Sequence, residues 1–230
     1  MNDRVQNAPN AKSKETPAIQ VDPRGVQPLL KWPGGKRALV GSILPSVPKE
    51  FGRYFEPFLG GGALFFAISP LRATLSDANA DLIETYKVVR DRPNELIQLL
   101  RKLHNSKNQY YKIRANRPEG PTERAARFIY LCTLAFNGIH RYNLKGEFNV
   151  PYGFKTHIDV CDEERIIACS ARLKGSSLVA GDLAEHGQVV RLHRWMRVFT
   201  NHYWIASGRW NLHKAPKLVR FCRSRRIGNL

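Results

Sequence analysis

The sequence predicts an α/β fold built around a parallel sheet, and three observations carry that expectation. The strand-like run "RYFEPF" passes through three consecutive glycines into the helical run "ALFFAIS". A second short strand, "ATLSD", follows closely. Beyond it, "ANADLIETYKVVRD" and "PNELIQLLRKLH" carry apolar residues at helical spacing. Strand, glycine turn, helix, strand, helix is the order of a crossover unit, whose strands lie parallel. With 230 residues, 43% of them hydrophobic, the chain can bury a core as one domain with an insertion or as two small ones.

The elements follow in chain order. Residues 1–27 are polar, rich in Pro, Asn and Lys, and without periodicity, so we expect a disordered arm. They hold no apolar signal core, and secretion is not expected. "LLKWPGGKRALVGSILPSVP" reads as a Gly-Gly turn and a short helix from about Arg37 to Leu44. Pro70 should end the "ALFFAIS" helix. "NSKNQYYKIRA" and "TERAARFIYLCTLAFNGI" extend the helical region, with Thr122 as the expected N-cap of the second. "RYNLKGEFNVPYG" reads as a hairpin around Lys145-Gly146. "DEERIIACSARLKG" is a further helix, and "SSLVAGD" a third strand. The resulting division is a core of residues 28–105 and 176–186, a segment 106–175 inserted into it, and a tail 187–230.

Composition narrows the class. The net charge of +18 points to a polyanionic partner. It is unevenly spread: residues 187–230 hold ten Lys or Arg and no Asp or Glu, and without them the net charge is +8. Cys132, Cys161, Cys169 and Cys222 show no CxxC spacing, which suits a reducing cytoplasm and argues against a disulfide scaffold or a zinc site. No apolar run approaches the roughly 20 residues of a membrane span.

Two local motifs carry chemistry. In "EPFLGGG" the glycines allow a ligand or another backbone to come close, and the helix start that follows favours negative charge. The loop is not GxGxxG, so the dinucleotide fingerprint is not met, and a plain strand-to-helix turn is the competing reading. Asp77, ending the second strand, suits ribose hydroxyls or equally a helix N-cap. In "KWPGGK", Trp32 offers an aromatic face and Lys36 a cation; a structural turn around a partly buried Trp is the alternative.

Taken together and in order, "LLKWPGGK", "YFEPFLGGGALFF", "LSDANADLI", "FNGIHRYNLKGEFNVPYG" and "LVAGD" resemble the Dam-type DNA adenine methyltransferases from about Leu29 to Asp182. The resemblance implies a Rossmann-like fold that uses S-adenosyl-L-methionine, with a helical DNA-recognition insertion. It implies methyl transfer to the exocyclic amine of adenine in double-stranded DNA. We expect a cytoplasmic monomer without a metal. Residue by residue, Trp32 and Lys36 match the motif at the methionine part of the cofactor. Glu56, Phe58, Gly60 and Gly61 match the nucleotide-binding loop, Asp77 the acid on the ribose, and Asp182 the acid near the adenine ring. In the recognition segment Arg141 resembles an arginine that reads a guanine edge, with a phosphate contact or surface ion pair as the alternative. Lys31 matches a residue near the first base. Phe136, Asn137 and Ile139 match residues that press into the duplex or touch its backbone near a flipped adenine. His140 and "GFKTH" (153–157) depart from the family pattern, so a GATC-like target is an analogy only.

The family also has an Asp/Asn-Pro-Pro-Tyr loop after the "GD" strand, which holds the amine towards the methyl donor. This sequence contains no Pro-Pro pair, and no catalytic residue is assigned. "NVPY" at 149–152 belongs to the hairpin. The tail holds three of the four tryptophans and no acid after Glu185. It reads either as a basic, aromatic nucleic-acid-binding segment or as out-of-frame translation. The second is favoured, because the break falls where the family pattern stops. The expectation is a chain with doubtful methyl-transfer activity; a non-catalytic nucleic-acid-binding protein is the alternative.

Overall fold

The computed structural model describes residues 25–48, 51 and 53–181. The expectations for the N-terminal arm, Asp182, Cys222 and the tail fall outside these residues. Three strands, β1 (Tyr54–Glu56), β2 (Ala73–Asp77) and β3 (Ser176–Ala180), form one parallel sheet in the order β1-β2-β3. Tyr54 pairs with Ala73 and Glu56 with Leu75; across β2, Ala73 pairs with Ser176 and Asp77 with Ala180. β2 is central, so its first four residues are buried and only Asp77 reaches the rim. A short run of small and apolar residues is what a strand covered on both faces requires.

The helices are set by their ends. The region after "KWPGGK" is a 3₁₀ turn (Arg37–Leu39), α1 (Val40–Ile43) and another 3₁₀ turn (Leu44–Ser46). α2 (Ala63–Ile68) stops at Ser69, which takes a left-handed φ of 54° just ahead of Pro70. α3 (Ala80–Asp91) starts at Asn79, whose side chain accepts from the Leu82 N–H at 3.0 Å. Arg92, preceding a proline, leaves helical geometry, and Pro93 opens α4 (Pro93–Leu100). Ser106 caps α5 (Lys107–Ala115), and Asp162 caps α7 (Glu163–Leu173).

The start of α6 differs from the sequence expectation. The helix runs from Pro121 to Leu134, its N-cap is Gly120, and Thr122 lies inside the first turn. Proline at the first helical position fixes φ where no N–H partner is needed, so the helix begins ahead of Thr122. The Thr122 side chain is buried and donates to the Glu95 carboxylate at 3.4 Å instead.

Between β2 and β3 the chain therefore carries five helices and a hairpin. The hairpin is held by bridges rather than long strands: Tyr142 faces Phe148, and Ala135 faces Tyr152. Its turn closes through Gly146 N–H to Asn143 O at 2.9 Å, next to the expected Lys145-Gly146 tip. One apolar cluster joins sheet and helices, including Tyr54, Phe65, Phe66, Leu75, Ile83, Leu96, Ile129 and Ile166. α6 packs on α3 and α4, and α3 also packs on α7 and β3. Each fully buried Leu, Ile or Phe contributes roughly 1.5–3 kcal/mol, which is what holds the short three-stranded sheet together. The Arg101–Glu163 pair, 2.5 Å between α4 and α7, is solvent-exposed and adds little.

Candidate functional site

The glycine loop sits at the carboxyl ends of β1 and β2. Asp77 is its anchor: Oδ2 accepts from the Gly60 N–H and Oδ1 from the Asn79 N–H, both at 2.9 Å. Asp77 is therefore not the N-cap of α3; Asn79 is. Asp77 ties the loop after β1 to the start of α3. A carboxylate offers about four acceptor positions, so two hydrogen bonds leave capacity for hydroxyl donors. Leu59 N–H to Ser76 O and the Ser76 hydroxyl to Pro57 O complete the attachment.

What comes close to these glycines is the "LLKWPGG" segment. A Cβ on Gly60, where φ is +49°, would lie 2.8 Å from Trp32 Cδ1. One on Gly61 would lie 3.0 Å from the Leu30 carbonyl oxygen. The glycines are required first by this packing of chain on chain. Gly62, with φ of +67°, turns the chain into α2.

The polar residues expected at a cofactor meet at this point. Lys36 Nζ donates to Gly34 O at 2.8 Å and lies within electrostatic reach of Glu56. Burial lowers the Lys36 pKa, and Glu56 partly restores it. Burial pushes the Glu56 carboxyl up to about 8 against the hydrogen bond that Tyr54 Oη donates to it at 3.0 Å; the Asp77 charge adds a smaller push upward. Near neutrality Glu56 thus carries its proton much of the time, and the cluster is less negative than its two acids suggest. Phe58 is exposed on the same loop. The structure brings together Trp32, Lys36, Glu56, Gly60, Gly61 and Asp77.

The residues expected to meet DNA form a second group, joined to the first through Trp32. Trp32 stacks on His140 with ring centroids 5.1 Å apart, and on Phe128 at 6.0 Å. His140 also meets Phe128, Tyr142 and Phe148 at 4.7, 4.9 and 5.3 Å. Burial pushes its pKa down to about 4, so the ring packs as a neutral aromatic. Sequence reasoning assigned His140 nothing; its partners lie up to about a hundred residues away, and no local pattern marks them. Tyr142 Oη donates to Asp81 at 2.5 Å and fixes the hairpin to α3.

Beyond that stack, Phe136 and Ile139 are exposed, and Asn137 takes φ of +52° in a 3₁₀ turn (Phe136–Gly138). Asparagine tolerates this left-handed geometry. A Cβ on Gly138 would touch Lys31 at 3.6 Å, which places Lys31 beside this turn. Arg141 is exposed and donates from Nε to Asn149 Oδ1 at 2.9 Å. Among the described residues no carboxylate forms an ion pair with it. Asn149 thus orients the guanidinium within the hairpin, a role that only the cross-strand pairing reveals.

No described helix is long and apolar enough to cross a membrane, and no group of three His, Cys, Asp or Glu among the described residues could hold a metal ion. Cys132, Cys161 and Cys169 are buried free thiols.

The pattern of the D12 class N6 adenine-specific DNA methyltransferases matches residues 32–183. The chain is 38% identical over 174 residues to the Type II methyltransferase M1.LlaDCHI of Lactococcus lactis subsp. cremoris, covering 71% of this chain and 61% of that protein. Over 180 residues it is 36% identical to the Type II methyltransferase M.MjaIII of Methanocaldococcus jannaschii, covering 68% and 62%. It is 42% identical over 130 residues to the DNA adenine methylase of Escherichia coli strain K12, covering 54% and 46%. The chain thus spans about half to three-fifths of the length of these relatives. The matched region contains the glycine loop, Asp77, the Trp32–His140 stack and the hairpin, and the chain belongs to the D12 class of N6 adenine-specific DNA methyltransferases.

Proposed function

We propose that the described residues form the cofactor-binding and DNA-reading parts of an enzyme that methylates adenine in duplex DNA. The observation that carries this is the junction at Trp32. One side of its surroundings is the glycine loop with Lys36, Glu56 and Asp77 beside it; the other is the hairpin bearing Arg141. The family membership favours this reading over a non-catalytic binding protein.

Strand order β1-β2-β3, with the loops at the carboxyl ends, is what half of a Rossmann-like sheet presents to a nucleotide. S-adenosyl-L-methionine fits the side chains present: it carries a carboxylate, a diol and a flat ring. Lys36 and nearby backbone N–H groups suit the carboxylate, and Asp77 suits the diol. Trp32 and Phe58 supply apolar walls beside Gly60 and Gly61. Glu56, when protonated, can donate as well as accept a hydrogen bond. Asp182 is proposed at the adenine ring. When bound, the cofactor supplies a methyl group on a sulfonium.

On the DNA side, residues 106–175 serve as the recognition segment. Arg141, oriented by Asn149, suits the two acceptors on a guanine edge. Lys31, Phe136, Asn137 and Ile139 lie at the same turn and suit the backbone and base steps beside it. We place the chain in the cytoplasm as a monomer.

The sequence holds no Pro-Pro pair, so nothing in the family pattern orients the adenine amine here. The expected outcome is saturable binding of cofactor and duplex by the purified chain, without accumulation of labelled N6-methyladenine in duplex DNA incubated with methyl-labelled cofactor. Robust methylation would contradict the expected inactivity while supporting the family reaction. A folded chain that binds neither cofactor nor duplex would overturn the proposal.

A further inference from the structure

Phe154 sits where a bulky side chain is costly. Its φ is +51°, a left-handed value that phenylalanine seldom adopts, and 68% of its surface is exposed. Hydrophobic burial therefore does not offset the conformation. The surroundings fix it instead. On one side, Gly153 N–H donates to Leu134 O at 2.8 Å, and a Cβ at Gly153 would lie 2.8 Å from Ala135 O. On the other, Asn105 Nδ2 donates to Lys155 O at 2.7 Å, and Lys155 Nζ to Thr133 O at 2.6 Å. A conformation determined from both sides, with the ring left outside, is the pattern of strain kept for a function.

The ring's neighbours indicate what it meets. It stands edge-on to Tyr152, with centroids 5.1 Å apart, and Lys107 Nζ lies 5.6 Å from its centroid. Lys155 follows it in sequence, and Lys31 is near enough that its charge adds to burial in lowering the Lys155 pKa. Half-exposed Phe136 hangs from the same ladder, its N–H donating to Pro151 O at 3.0 Å. Among the described residues no Asp or Glu pairs with these lysines. A rigid exposed ring among ammonium groups matches a nucleobase face flanked by phosphates.

We propose that Phe154 is a stacking residue for a nucleobase, with Lys107 on the adjacent phosphate. It contributes affinity without sequence discrimination, because every base presents a π-face. The inference rests on the DNA-binding reading above.

The test compares the full wild-type chain with Phe154→Ala, Phe154→Asn, Phe154→Trp and Arg141→Ala. Each is titrated onto a GATC-containing duplex and a scrambled duplex at fixed salt, with thermal midpoint and sedimentation measured on the same samples. Phe154→Ala and Phe154→Asn should weaken both duplexes alike, by about fivefold to a hundredfold. Phe154→Trp should retain binding. The thermal midpoint of Phe154→Asn should equal or exceed that of the wild type, because asparagine tolerates left-handed φ. Arg141→Ala should instead lose preference between duplexes. Wild-type affinity in Phe154→Ala would overturn the inference alone. So would a lowered midpoint with equal loss in Phe154→Trp, which marks a structural role, or loss of self-association with DNA affinity unchanged, which marks a second copy as the occupant. A folded wild type that binds neither duplex would overturn the DNA-binding reading and this inference with it.

Discussion

Tyr86 and Glu56 show how burial acts on single polar groups. Tyr86 is fully buried, and among the described residues its hydroxyl has no hydrogen-bond partner. An unpaired buried hydroxyl costs free energy that phenylalanine avoids, so Tyr86→Phe should raise stability by about 1 kcal/mol in urea unfolding. Glu56 gives a pH dependence. Its folded pKa, pushed up to about 8 from 4.5, means the folded chain holds a proton that the unfolded chain has released. The stabilising contribution is complete below pH 4.5 and is lost as pH rises towards about 8. Glu56→Gln should flatten this decline, as thermal midpoints between pH 5 and pH 9 will register. At this scale the sequence spoke unevenly. That Trp32, Lys36 and Asp77 would lie close together was legible, because each stands in a short motif beside a glycine turn or at a strand end. His140 and Asn149 were not, because their roles arise from contacts that only the folded chain creates.

Elements were most legible where covalent signals mark their ends. The glycine loop and Pro70 stand at boundaries the structure keeps, and Pro93 opens the helix expected from "PNELIQLLRKLH". The Asn79, Ser106 and Asp162 caps emerge only in the fold, where Asn79 takes the place that Asp77 could have filled. Thr122 shows how two start signals compete: it has the chemistry of a cap, but Pro121 one residue earlier begins α6 from Gly120. The hairpin was visible from its turn residues, whereas its reduction to isolated bridges depends on how it is moored to α3 and α6. The glycine loop offers the sharpest test of an element. Gly60 combines φ of +49° with a Cβ position 2.8 Å from Trp32. Gly60→Ala should therefore destabilise the fold by about 1–3 kcal/mol in urea unfolding. Unchanged stability would mean that Trp32 does not pack on the loop as described.

At the scale of the whole molecule, three strands converge on one rim and set the loop after β1, the acid ending β2 and the turn after β3 side by side; Gly181 N–H reaches Asp77 O at 2.9 Å. The order of elements made this arrangement legible, since parallel strands joined by crossovers put their carboxyl ends together. The joining of that rim to the hairpin through Trp32 and His140 was not legible, because it is a packing of distant segments. S-adenosyl-L-methionine is the ligand proposed for this rim. Isothermal calorimetry with the full chain and with Asp77→Asn, each shown to be folded, tests this proposal most directly. The wild type should bind one cofactor per chain saturably, and Asp77→Asn should lose about 1–3 kcal/mol of affinity, the scale for hydrogen bonds to a charged group. Equal affinity in both chains, or no saturable binding by the folded wild type, would contradict the proposal.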